Sequence, residues 1–157
     1  TPQQRVTFKN RATKKEIADK SADIMSMVNN FLFSEGQPIH LIEKGESESL
    51  ALSLTLSKKG IDNAVVIDER TARMLCENPE NLRQLMEEKL RVKLQADFNK
   101  IKEFKNIKII RSTELAYIAH KKNILNGDKR VLEAVLYALK FGGCSISEKE
   151  VQSMKNG

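Results

Sequence analysis

This chain has few of the residues that announce chemistry on their own. Its 157 residues include two cysteines, two histidines, three prolines and no tryptophan. Cys76 and Cys144 lie far apart without a CxxC or Cys/His spacing, which argues against zinc and leaves two thiols expected to be reduced. His40 and His120 have no partner at catalytic spacing, and neither a Ser-His-Asp arrangement nor a phosphate-cradling glycine loop is evident. No run of about 18 apolar residues exists to span a membrane, and no secretory signal pattern is visible, so a cytoplasmic protein is expected. Aromatic residues make up 5% of the chain, which leaves little for base stacking. Internal repeats and low-complexity segments are absent.

What is present is the material of one globular domain spanning residues 1–157. Hydrophobic residues are 40% and charged residues 31%, and the length suffices for a core without disulfide or metal staples. The net charge of +6 permits a polyanionic partner without requiring one. Positive charge gathers in the first twenty residues (Arg5, Lys9, Arg11, Lys14, Lys15, Lys20) and again from Lys89 to Arg111. The sequence begins at Thr1 without a methionine, so either processing or missing upstream sequence is expected.

Local signals divide the chain into helices and short strands. Thr13-Lys-Lys-Glu16 has the form of a capping box, and Ile17, Ile24, Val28, Phe31 and Leu32 repeat at helical spacing after it. Pro38 to Ile42 reads as a strand. Glu46 to Lys59 reads as a helix, with acids in its first turn, lysines in its last and Gly60 just beyond. Ala64-Val-Val-Ile67 has the pattern of a strand buried on both faces, and Asp68 or Glu69 then opens a short helix to Cys76. Asn78-Pro79-Glu80 starts another helix. Leu82, Met86, Leu90, Leu94, Phe98 and Ile101 extend its apolar stripe for about six turns, with Arg83, Arg91, Lys93 and Lys100 opposite. Ile107 to Ile110 reads as a strand, and Ser112 or Thr113 caps the helix after it. Asp128 caps a helix with Val131, Leu132, Val135 and Leu139 inward, and Ser147 to Glu150 forms a final capping box. This alternation predicts an α/β fold, three-layer α/β/α with a mainly parallel sheet.

In such a fold Glu46 and Glu48, at a helix start, share one sheet edge with Asp68, at the end of the next strand. Ser112 and Thr113 return to the same edge. Two carboxylates about 5 Å apart repel by roughly 3 kcal/mol at an effective dielectric near 20, a cost that a divalent cation reverses. Mg²⁺ or Mn²⁺ is the expected ion, and a phosphodiester the expected substrate. A second reading stands beside this one for every acid, because a carboxylate in a first helical turn is stabilised by the helix dipole whatever its function. Arg70 and Arg73, three apart, either hold phosphates or pair with neighbouring acids. The basic face of residues 80–104 is either a nucleic-acid surface or a solvated one.

GESESLALSL followed by AVVIDERTAR resembles the PIN-domain proteins of prokaryotes, in which a Gly-Glu-x-Glu helix start precedes an apolar strand ending in Asp-(Asp/Glu)-Arg-x-Ala-Arg. IIRSTELAYIAHKKNIL and LEAVLYALKFGGCSIS are similar to that family's next strand-to-helix turn and following helices. The resemblance implies an α/β/α fold and Mg²⁺- or Mn²⁺-dependent ribonuclease activity, often as the toxin of a toxin-antitoxin pair and often in a homodimer. By position it implies Glu46 and Asp68 as catalytic acids, and Glu46, Glu48 and Asp68 as metal ligands. Apart from the resemblance, Arg70, Arg73 and Thr113 are the candidate nucleic-acid contacts. The family's N-terminal strand and its Asp have no counterpart after Thr1, so a truncated N-terminus is expected. Where a further acid is expected this chain has Lys9, with Glu16 about two turns later as the remaining candidate ligand. Residues 78–105 exceed the family's usual length there and are expected to be a helical insertion for dimerisation or RNA contact.

Overall fold

Helices α1 (Arg11–Val28) and α2 (Lys44–Lys58) pack against each other through small residues at their contact. The computed structural model describes residues 11–157; Lys9 and the other cations before Arg11 lie outside the described residues. Ser21 and Ser47 are buried and share a hydrogen bond of 2.8 Å, while Ile24, Val28, Leu50 and Ala51 are fully enclosed around them. Ile24, Val28 and Leu50 each contribute about 1.5–3 kcal/mol by leaving water, and the Ala51 methyl less.

Beyond α1 the chain forms a hairpin of β1 (Leu32–Ser34) and β2 (Gln37–Pro38). Its two-residue loop has φ 50° at Glu35 and 77° at Gly36, the left-handed pair that a tight hairpin of this hand requires. The expected strand from Pro38 to Ile42 does not form beyond Pro38. The amides of Leu41 and Ile42 instead donate to the side-chain oxygen of Asn29, at 2.7 and 3.1 Å, and Asn29 Nδ2 donates to the Ile42 carbonyl. One side chain replaces a neighbouring strand there.

The predicted three-layer α/β/α architecture is not what forms. Helix accounts for 63% of the structure and strand for 8%. There are two small sheets among the described residues: β2-β1-β4, antiparallel, in which β4 is Gln95–Ala96, and β3 (Val65–Val66) with β5 (Ile109–Ile110), parallel. The run Ala64 to Ile67 is not buried on both faces, since Val66 is 47% exposed and of the four only Ile67 is enclosed. An apolar run becomes a central strand only where neighbours flank both of its edges, and β3 has one.

Residues 78–105 are likewise not one long helix. Helix α4 (Pro79–Leu90) begins as expected, with the Asn78 side chain accepting the Asn81 amide at 3.1 Å. It stops at Arg91, which is left-handed with φ 57°, and the Glu87 carboxylate catches the Leu94 amide at 2.8 Å, bending the chain back. Strand β4 (Gln95–Ala96) then pairs with β1, and a 3₁₀ helix follows over Phe98–Asn106. This stretch is part of the main core rather than an appendage: Leu82, Met86, Leu94, Ile101 and Phe104 are all buried.

Helix α3 (Arg70–Glu77) packs on α4 and on the 3₁₀ helix. The last three helices are α5 (Ser112–Lys121), α6 (Lys129–Phe141) and α7 (Glu148–Asn156). They enclose a second, smaller cluster of Leu132, Leu136, Ile146 and Val151, flanked by Tyr117, Tyr137 and Met154. The inward face of α6 is therefore turned from the predicted one, leaving Val131 39% exposed. Among the described residues no helix is long and apolar enough to cross a membrane.

Candidate functional site

Parallel pairing of β3 with β5 brings the carboxyl ends of both strands to one edge, where Asp68 meets the first turn of α5. The Asp68 carboxylate accepts the Ser112 backbone amide at 2.8 Å and the Ser112 hydroxyl at 2.7 Å. Burial alone would raise the Asp68 pKa, but the two Ser112 hydrogen bonds, the Cys144 thiol and the Arg111 charge outweigh it and hold the group below the usual carboxylate range. Asp68 is thus an anion at neutral pH. Glu69, not Asp68, caps α3, accepting from the amides of Thr71 and Ala72 at 2.9 and 2.7 Å.

Arg111 organises the other side of this edge. Its guanidinium donates to Glu114 at 3.0 Å and to the Ser145 carbonyl at 3.1 Å, and pairs with Glu150 at 2.9 Å. Thr113 is fully buried, its hydroxyl 3.5 Å from the Cys144 sulfur, so its side chain does not present itself to RNA in this conformation. Sequence reading missed Arg111 and Cys144; it brought Ser112 to the edge of Asp68, but not the two hydrogen bonds that join them.

The remaining predicted acids stand in other company. Glu46 is half-buried and accepts the Glu43 amide at 3.1 Å, closing the start of α2. Glu48 is exposed and lies 3.7 Å from the Lys44 ammonium, while Glu16 lies 4.0 Å from that of Lys59. Among the described residues no three of His, Cys, Asp and Glu are grouped as a metal site. The oxygen donors suit Mg²⁺ or Mn²⁺ chemically, but the acids do not gather as a ligand set. Asp68 is occupied by Ser112, and Glu46 by its own helix start.

The two arginines differ. Arg70 is exposed at the start of α3. Arg73 keeps 15% of its side chain exposed, and its Nε lies 3.6 Å from Glu77, close enough for an ion pair but too long for a hydrogen bond. Its Nε and Nη1 are buried without hydrogen-bond partners.

Comparison of the chain with protein-family models, with curated proteins and with solved structures finds no match in any of the three.

Proposed function

We propose that this chain acts on RNA at the edge where Asp68 meets Ser112, as a PIN-like ribonuclease unit. One observation carries this reading. Asp68 lies at the carboxyl end of a parallel strand pair and is hydrogen-bonded to a helix start, and this supports the role of active-site acid that the AVVIDERTAR resemblance implies for it. Asp68 repels a phosphate on its own, so an RNA backbone approaching it depends on nearby cations, and exposed Arg70 is two residues away. The activity expected is cleavage of RNA phosphodiesters in the presence of Mg²⁺ or Mn²⁺, in the cytoplasm, with an antitoxin protein or a second copy of the chain as companion. Incubation of the protein with single-stranded RNA and Mn²⁺ tests it. Cleavage is expected, and Asp68→Asn is expected to abolish it; cleavage undiminished in that variant removes Asp68 from the site.

The engagement of Glu46 and Glu48 within α2 favours a second reading, a non-catalytic module that binds RNA or protein through its basic surface. RNA binding that is steeply salt-dependent, without turnover or metal dependence, selects it.

A further inference from the structure

A cleft of about 490 Å³ lies between the start of α4 and the 3₁₀ helix, away from Asp68 and its partners. We propose that this cleft is a nucleotide subsite for single-stranded RNA, with the base against Phe98 and a phosphate held by Lys102 and Lys105. The proposal rests on the reading that the chain's ligand is RNA. Its volume is within the range of small-ligand sites, roughly 300–1,000 Å³.

The 3₁₀ geometry creates the arrangement. With three residues per turn, side chains three apart eclipse one another. Phe98, Ile101 and Phe104 therefore share one face, which turns from half-open at Phe98 to fully buried at Phe104. Lys102 and Lys105 share the neighbouring face, about 6 Å apart along the axis, and both are exposed at the cleft. Two ammonium groups so placed bracket a phosphate between them.

The lining of the cleft is formally neutral, so what a phosphate meets there depends on which of its charges are already paired. Two carboxylates also line it, but each is already engaged: Glu80 by the Arg83 guanidinium, at 3.0 and 3.2 Å from Nε, and Glu77 by Arg73. Lys102 and Lys105 have no ion-pair partner among the described residues. The apolar wall is equally specific. Phe98 is 39% exposed, and its ring is fixed from behind by an edge contact with Phe31, with centroids 5.4 Å apart. Pro79 and buried Ile101 continue the wall. An acidic peptide would use the lysines but not the ring. A nucleotide uses both, because every base has a face to stack and stacking is tolerant of sequence.

The test is a titration of the full chain with a fluorescent ten-nucleotide oligouridylate, in EDTA so that nothing is cut. Lys102→Gln/Lys105→Gln is expected to weaken binding about tenfold at low salt and to flatten the plot of log K against log salt by about 1, as for the loss of one or two single-strand phosphate contacts. Phe98→Leu, which keeps an apolar contact to Phe31, is expected to weaken binding roughly fivefold or more with the slope unchanged. Thermal melts establish that the variants fold, and the lysine pair, being exposed, decides the matter should Phe98→Leu melt early. Unchanged affinity and slope in the lysine variant overturn the subsite, and RNA cleavage that persists in that variant leaves the ribonuclease reading standing. Conversely, binding that depends on these lysines in a chain that cuts no RNA supports the subsite and removes the ribonuclease reading. Absence of RNA binding by the unmodified chain overturns both.

Discussion

The Asp68 carboxylate and Ser112, 44 residues apart, are joined by two hydrogen bonds, one from the backbone and one from the hydroxyl. The end of one strand and the start of a helix are thereby a single unit. Asp68→Ala removes the acceptor of both donors and is expected to cost about 2 kcal/mol in urea unfolding, as for hydrogen bonds to a charged group. Asp68→Asn keeps an oxygen for the Ser112 amide and can donate to the hydroxyl, so its cost is expected to be about 1 kcal/mol or less. A folded but inactive Asp68→Asn therefore reports on chemistry.

Ser21 and Ser47 give an asymmetric pair of variants. Ser47 donates its hydroxyl to the Lys44 carbonyl at 2.9 Å, so in the 2.8 Å contact it accepts from Ser21. Ser21→Ala leaves Ser47 with its donation intact and is expected to cost under about 1 kcal/mol, whereas Ser47→Ala strands the buried Ser21 hydroxyl and is expected to cost about 1–2 kcal/mol. The double variant, measured in the same urea series, is expected to cost less than the sum.

Acid sensitivity is expected to arise largely at the start of α7. The Ser147 amide, Ser147 hydroxyl and Arg111 lower the Glu150 pKa from the ordinary 4.5 to about 2 against a smaller effect of burial. A carboxyl depressed in the folded state stabilises it fully above its unfolded pKa, and that contribution is lost as pH falls through the folded one. Stability is thus expected to decline between about pH 4.5 and 2. Asp68, also depressed, adds in the same direction. Urea midpoints taken at pH 7, 4 and 3 should fall less steeply in Glu150→Gln, and equal steepness would contradict the assignment.

Cys76 is buried, and desolvation, assisted by the Glu77 charge, pushes its thiol up to about 12. At pH 8 only about one molecule in ten thousand carries the reactive thiolate there. Cys76 is expected to escape thiol-specific labelling in the native protein and to react fully in denaturant. Labelling followed by peptide mapping distinguishes it from Cys144.

Several helix starts were legible in the sequence because caps are local, although α5 is capped at Arg111 rather than at Ser112 or Thr113 and Thr13 lies inside α1. Asn78, Asp128 and the Ser147–Glu150 box act as their types and spacing imply. Core membership was legible in part: Leu82, Met86, Leu94 and Ile101 are inside, while Leu90 and Phe98 of the same stripe are exposed. Their element was not, because a helical stripe of apolar residues looks the same whether the helix continues or stops at Arg91 and returns as strand and 3₁₀ turn. What decides is the Glu87 side chain reaching the Leu94 amide, a competition between side chain and backbone that periodicity does not contain. The parallel sheet was overread for a related reason. Val65, Val66, Ile109 and Ile110 have strand chemistry, but the number of neighbours a strand finds is a long-range property. As for the site, the meeting of Asp68 with the start of α5 followed from the parallel register, whereas a gathering of Glu46 and Glu48 with it needed the wider sheet that does not form.

The two hydrophobic clusters are unequal. The smaller has four buried side chains, and polar links tie it to the larger one: Asp68 to Ser112, and Arg111 to Ser145 and Glu150. Little apolar burial holds α6 and α7 in place, so these helices are expected to open before the rest of the molecule does. The proposed site lies on the hinge of that opening. Anything that grips both Asp68 and the α5 start would act as a latch, slowing amide exchange throughout the last three helices while leaving α1 and α2 as they were.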